Sequence, residues 1–346
     1  MRRMLGLVGV LRAGASLGLT GRYALQAREV KAGIHLWAAD HGVDLVIIDD
    51  RGSPARAVAA YHALLDARVE ILLGPYGSGT VRRVAPAVCR SGRLLWNHGG
   101  AADDLATPLL ATVIAPASTY LYSLLVLARD AGLEQVVLAP RGGPFGEQVA
   151  EGARQAGETL GMPTRQVSAD QANALVEGAA SKRTVSLAAA ALVFAGTFEQ
   201  DVAAVRRVRQ ARVEVGLLGC VAAGIDEFGH CLGRLADGVV APVQWCCRDH
   251  PVDVGPSSGE FVGRFKWRHG RPPDYLSAQA AAAGYLAAEA AAHGYGPDEV
   301  RRWRTDTLLG PFRLDSSWRQ TGFAPVAVQW RRGRRVVVTA ETPPAC

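Results

Sequence analysis

"VDLVIIDDRGSPARAVAAYHALLDARVEILLGPYGSG", residues 43–79, reads as strand, turn, helix, strand and glycine-rich turn. Asp44–Asp49 is a short continuous apolar run, the pattern of a parallel strand covered on both faces. Ser53 followed by Pro54 is a helix opening, with an N-cap hydroxyl and then a residue whose missing N–H costs nothing in the first turn. Glu70–Leu73 is a second buried run. It ends in Gly74-Pro75-Tyr76-Gly77-Ser78-Gly79, where glycines let backbone N–H groups close on a ligand or simply allow a tight turn.

The same rhythm extends in both directions. Further strands are expected at Leu5–Leu11, Leu94–Trp96, Gln135–Ala139, Ala191–Ala195, Gly216–Gly219 and Gly238–Pro242. Ala27, Val30, Ile34 and Trp37 lie three and four residues apart, the apolar stripe of a helix. "SAQAAAAGYLAAEAAAH" (277–293) is a helix with Ser277 as cap and Gly294 as stop. Alternating strands and helices imply parallel sheets with right-handed crossovers. A chain of 346 residues fits two lobes of about 150 each better than one core. Sheets of this kind bind ligands at the carboxyl ends of their strands. "GPYGSG", "NHGGAADD", "PRGGPFG" and "AGTFEQD" stand at four such ends, across both halves.

The net charge of +6 is carried mostly by arginine, since Lys31, Lys182 and Lys266 are the only lysines. The basic residues are scattered, and no recognisable module accompanies them, which argues against nucleic-acid binding. Six cysteines in a chain of this length are no disulfide scaffold. Cys220 and Cys231 could pair, although spacing alone does not show it. No CxxC is present, which argues against zinc. Met4–Leu11 follows two arginines, but the run is short and Arg12 interrupts it, so it is taken as the first strand rather than a signal peptide. No stretch approaches the ~20 apolar residues of a membrane span.

Reaction chemistry is hard to assemble. "GPYGSGTVRR" lacks the lysine of a phosphate-binding Walker loop, and "GLVGVLRAGASLG" does not supply GxGxxG. A nucleophile elbow needs GxSxG, and the G-S-G here is one residue too tight. His62, His98, His230 and His250 lie in unrelated contexts. No nucleophile, base and oxyanion donors come together, so no enzyme, cofactor or metal is expected.

The ordered series of segments is more telling than any one motif. "GLTGRYALQAREVKAGIHLWAAD", the stretch 43–105, "GPFGEQVAEGARQAGETLGM", "ALVFAGTFEQDVAAVRRVRQARVEVGLLGC", "LADGVVAPVQW" and "LLGPFRLDSSWRQTGFAPVAVQWRRG" follow in the order seen in periplasmic binding proteins of the leucine/isoleucine/valine type, and the chain resembles that family along essentially its whole length. The resemblance implies two doubly wound α/β lobes joined by three crossover strands and closing on a ligand. The first lobe is expected at 1–116 plus 245–320, and the second at 117–244 plus 321–346. The crossovers fall near Pro116, Pro242–Trp245 and Gly322.

Carried over by position, the resemblance places the ligand's carboxylate or amide at Tyr76, Ser78, Gly79 and Thr80, with Asn97, Gly99 and Gly100 in the next loop. There "NHGGAAD" departs from the family's usual alanine and threonine, leaving backbone N–H groups to serve. Phe145 and Phe198 match positions where aromatic residues cover the ligand; core packing is the competing role. Amino-acid binders also need an acid for the ammonium after the strand matching "GLLGC". Here the turn is Val221-Ala222-Ala223, and the nearest acids are Asp226 and Glu227. The function implied is capture of a branched-chain amino acid, or of a related carboxylate, amide or aromatic acid, for an ABC permease outside the cytoplasm. The alternative is a cytoplasmic sensor resembling the amide-responsive regulator of the aliphatic amidase operon, partnered with a regulator; the lack of a signal peptide favours it.

Overall fold

The computed structural model describes residues 10–140, 142–181 and 186–338. The first sheet is built from β1 (Arg12–Leu17), β2 (Asp44–Asp49), β3 (Ile71–Leu73), β4 (Leu95–Asn97) and β5 (Leu110–Thr112). They are all parallel, in the order β2-β1-β3-β4-β5. Helices α1 (Ala24–His41), α2 (Pro54–Asp66) and α3 (Ser78–Arg90) connect the first four strands. Ser53 caps α2 as its sequence implies, its hydroxyl accepting the Arg56 N–H. On α1 the stripe Ala27, Val30, Ile34 and Trp37 is completely buried. Burial of each larger member contributes about 1.5–3 kcal/mol.

After α4 (Tyr122–Asp130) the chain builds a second sheet. Strands β6 (Gln135–Pro140), β7 (Thr164–Gln166), β8 (Ala190–Ala195), β9 (Leu217–Cys220) and β10 (Val240–Val243) alternate with α5 (Pro144–Leu160), α6 (Ala169–Ala180), α7 (Phe198–Gln210) and α8 (Asp226–Leu232). The chain then returns to the first sheet with α9 (Ser258–His269), α10 (Tyr275–Ala292), α11 (Pro297–Arg302) and the hairpin β11 (Arg304–Thr307) and β12 (Gly310–Arg313). It crosses once more to add β13 (Val326–Arg331) and β14 (Arg334–Val337), both antiparallel, giving the order β14-β13-β10-β9-β8-β6-β7. Two parallel-cored α/β sheets with three passages between them are the type 1 periplasmic binding protein fold expected from the sequence.

Two segments depart from expectation. The first strand is Arg12–Leu17, not Leu5–Leu11, of which 5–9 lie outside the described residues. Its Ala13, Gly14, Ala15 and Ser16 are buried, and Gly14 is small enough for Leu64 of α2 to close over it, a property that hydrophobic bulk does not report. Arg12 opens this strand and pairs with Asp44 across the β1–β2 register at 2.8 Å. Helix α10 also begins earlier than expected. Asp274, not Ser277, is its N-cap, with the Leu276 N–H donating to Asp274 Oδ1 at 3.1 Å. Ser277 is instead turned onto α1, where its hydroxyl donates to the Glu29 carbonyl at 2.9 Å.

The passages between sheets are tied together by one side chain. Gln244, just past β10, accepts the Ala115 N–H at 2.9 Å and donates to the Ala115 carbonyl at 3.0 Å, as a neighbouring strand would. The same amide donates to the Tyr120 hydroxyl at 2.9 Å.

Candidate functional site

The carboxyl ends of the two sheets face a shared cavity of about 580 Å³, within the span usual for small-molecule sites. The loops after β1, β3 and β4 and the start of α10 wall one side. The loops after β6, β8 and β9 wall the other.

On the first side, α3 opens with no side-chain cap. Gly77 stands at its N-cap with φ 92°. A Cβ there would also come within 3.1 Å of the Tyr23 ring, so both backbone angle and space require glycine. The Thr80 and Val81 N–H groups turn back to the Gly77 carbonyl, whereas those of Ser78 and Gly79 meet no acceptor among the described residues. Ser78 Oγ accepts the Ala102 N–H at 3.1 Å, which leaves its proton to donate. Thr80 is buried in the same turn. Free N–H groups at a helix N-terminus, backed by the helix dipole, form an anion seat.

The opposite wall is filled by its own side chains. Thr197 and Gln200 form a reciprocal capping box at the start of α7. Asp201 takes the Gly196 N–H at 2.7 Å and the Ala222 N–H at 3.1 Å. Glu199 adds a negative charge at this rim. An anion finds donors on one side and occupied groups on the other.

Between the walls stand aromatic rings. Tyr23 meets Tyr76 edge-to-face at 5.5 Å, and Tyr120 meets Phe145 in the same way at 5.3 Å. Tyr275 and Phe198 complete the lining. Burial pushes the Tyr120 hydroxyl up to about 12, partly offset by the Gln244 hydrogen bond, and pushes Tyr76 and Tyr275 up as well. These phenols stay neutral at physiological pH.

Seven of the residues singled out from the sequence line this cavity: Tyr76, Ser78, Gly79, Thr80, Gly99, Phe145 and Phe198. Asn97 and Gly100 do not. Asn97 is completely buried; its Oδ1 accepts the N–H groups of Gly99 and Gly100 at 3.2 and 2.8 Å, and its amide donates to the Gly100 carbonyl at 2.7 Å. The backbone donors expected to serve a ligand in this loop are consumed inside it, so the loop buttresses the α3 turn. Beside Asn97, His98 is fully buried with no well-formed hydrogen bond on either ring nitrogen, and burial lowers it to about 4, opposed in part by the nearby backbone of Gly74 and of His98 itself.

The sequence reading missed Arg22, Tyr23, Gln26, Tyr120, Tyr275 and Gln279, all of which line the cavity. Gln279 left a visible trace, a lone amide within the alanines of α10. Gln26 lies one turn beyond Tyr23, beside the apolar stripe of α1.

Among the described residues, the ionisable side chains at the wall, apart from the tyrosines, are Arg22, Arg82 and Glu199. Arg82 is paired with Asp104, and Arg22 lies 4.5 Å over the Tyr23 ring. Asp226 and Glu227, the nearest acids to the Val221 turn, are not at the wall. Asp226 pairs with Arg335 at 2.5 Å, and Glu227 lies 3.6 Å from His230. Cys220 and Cys231 do not pair: Cys220 is buried and free, and Cys231 is exposed and free.

Two α/β sheets with their strand ends and an open helix N-terminus turned onto one cavity define a two-lobed ligand-binding fold. The chain belongs to the periplasmic binding protein family, whose sequence model matches residues 10–304. In structure it is similar to the leucine-binding protein LivK of Thermotoga maritima, with a TM-score of 0.81 at 17% identity, covering 95% of this chain and 98% of that one. It is similar to the branched-chain amino acid substrate-binding protein LivJ of Streptococcus pneumoniae, in complex with isoleucine, with a TM-score of 0.81 at 15% identity over 97% and 100% of the two chains. A solute-binding protein of R. palustris in complex with benzoate gives a TM-score of 0.75 at 16% identity over 95% and 96%. These likenesses are of fold. A comparison with curated proteins by sequence finds no match.

Proposed function

We propose that this chain is the solute-binding component of an ABC transporter and captures a small carboxylate that has no α-ammonium group. The observation that carries this reading is the asymmetry of the cavity. Ser78 and Gly79 offer free N–H groups to an anion. Val221 and Ala222 stand where the family resemblance puts the ammonium's acid, and the acids beside them are already engaged, Asp201 by the Gly196 and Ala222 N–H groups and Glu199 by the Thr197 hydroxyl. A buried ammonium without a carboxylate costs several kcal/mol. The aromatic lining suits a flat or branched apolar body, in keeping with a fold whose relatives hold isoleucine and benzoate.

In this reading the lobes take 10–116 plus 245–320, and 117–244 plus 321–338, each built around one of the two sheets. Closure turns on the passages joined by Gln244 and Ala115. Binding shifts the open and closed populations, with no covalent chemistry. The permease is the partner, and the site of action is outside the cytoplasmic membrane.

Calorimetric titration with leucine, with 4-methylpentanoate (leucine without its amine) and with benzoate tests the reading. The amine-free acids are expected to bind more tightly than leucine. Tight leucine binding with no response to 4-methylpentanoate would sink it. Binding of aliphatic amides in preference to all acids would point instead to an amide sensor.

A further inference from the structure

Of the three glutamines at the cavity, Gln200 is engaged in the α7 capping box, which leaves the amides of Gln26 and Gln279. Gln26, on α1, is 8% exposed, and Gln279, on α10, is 2% exposed. The Oε1 atom of each is buried and accepts no hydrogen bond. Buried polar atoms without partners occur elsewhere among the described residues, for example in Trp37, His98 and Ser123, but those residues do not line the cavity. Two orphaned acceptors on one ligand-binding wall call for a reason, because native proteins leave few such atoms unpaired. Both residues are held firmly. Helices α1 and α10 meet where Gly33 lies against Ser277, and a Cβ at Gly33 would come within 2.1 Å of the Ser277 carbonyl oxygen.

An amide oxygen in this setting accepts a neutral hydrogen-bond donor. It does not compensate a buried ammonium, which needs a carboxylate. Rotation of either amide exchanges its oxygen and nitrogen, so each side chain can also donate to an ether or carbonyl on the same ligand.

We propose that Gln26 and Gln279 form a second polar subsite, which takes a neutral hydrogen-bond donor carried by the ligand away from its carboxylate. The preferred ligands are then acids bearing a hydroxyl or carboxamide on the apolar body, and plain hydrocarbon acids are discriminated against. This rests on the carboxylate reading for the ligand's other end. Sites built to pair a hydroxyl reject the analogue that lacks it, because their own polar groups are left unpaired.

The test is calorimetric titration of the full chain with benzoate, 3-hydroxybenzoate, 4-hydroxybenzoate and 4-carbamoylbenzoate, repeated on Gln26→Leu and Gln279→Leu. In the unchanged protein at least one substituted acid is expected to bind tenfold or more tightly than benzoate, and hydroxyl and carboxamide arms show which donor is preferred. In the leucine variants this preference should fall to within twofold. The melting temperature of the unliganded variants should not drop, since no internal hydrogen bond is lost; Gln26→Met and Gln279→Met serve if a leucine variant fails to unfold cooperatively. No preference in the unchanged protein, or a preference that both variants keep, overturns the proposal. Benzamide and 4-hydroxybenzamide separate the two readings. If they bind and the acids do not, the carboxylate reading falls, and the ratio between these two amides decides the subsite. If none of the six compounds binds, the subsite proposal falls, and the response to 4-methylpentanoate decides the carboxylate reading separately.

Discussion

The starts of α3 and α7 face the same cavity and are built in opposite ways. At α3 the N-cap is Gly77, and the Ser78 and Gly79 N–H groups are left open. At α7 the N-cap is Thr197, which closes a box with Gln200, while Glu199 and Asp201 place acid in the first turn. Below the first wall lies His98, uncharged and with no well-formed hydrogen bond on its ring; below the second lies Asp201, holding two backbone N–H groups. A helix end can be spent on its own stability or on a ligand; α7 is closed on itself, whereas α3 is left open, as the proposed carboxylate site requires.

Making α3 resemble α7 should give the largest effect. Ser78→Asp places a carboxylate against the anion seat, and carboxylate affinity measured by calorimetry is expected to fall at least a hundredfold, about 2.7 kcal/mol. The helix itself should gain about 0.3–1 kcal/mol from the new first-turn acid. Unchanged affinity would mean that the anion binds elsewhere.

The support beneath α3 gives the next effect. Native His98 titrates at about 4, below its ordinary 6.5, so the folded state stays neutral while the unfolded chain takes up a proton. Stability from this group is therefore complete above about pH 6.5 and is lost as pH falls toward 4. Urea unfolding at pH 7 and 4.5 should show about 2–3 kcal/mol of that loss, and His98→Phe should abolish this part. An identical pH profile in the variant would remove His98 as its source.

Deleting the hydroxyl of Ser78 is milder than opposing it with charge. Ser78→Ala should weaken carboxylate binding by about 1–3 kcal/mol, because the Ala102 N–H and the ligand both lose a partner. At the closed wall, Thr197→Ala should lower global stability by about 1 kcal/mol, with carboxylate affinity shifted less than twofold. A larger loss of affinity there would show that the two walls share the anion.

The sequence exposed the parallel cores because buried parallel strands are continuous apolar runs; Asp44–Asp49 has the expected bounds, but it is the edge strand and only half-buried, not covered on both faces. It misplaced β1 because "RAGASL" is chosen by how closely helices approach it, and small residues look unremarkable in a hydropathy pattern. Strands β7 ("TRQ") and β11 ("RTDT") exist through pairing with a neighbour, and neither carries a pattern of its own. The glycine turns stand at the cavity, yet their spacing could not show which N–H groups were already spent. Asn97 satisfies its own loop, and only three dimensions reveal that. Arg22 to Gln26 and Tyr275 to Gln279 were hidden for another reason: they sit at helix starts remote in sequence, and folding alone brings them to one wall.

The contact of Gly33 with Ser277 has a consequence for how this site can change over generations. The two helices pack backbone to backbone there, with no room for a side chain at Gly33, so Gln26 and Gln279 are carried on one closely packed helix pair. If the proposed subsite holds, mutation at either position would alter what is admitted while the α3 turn and the passages between the sheets keep their own supports. Descendants of such a gene can therefore explore new diets two residues at a time, with the machinery of capture inherited intact.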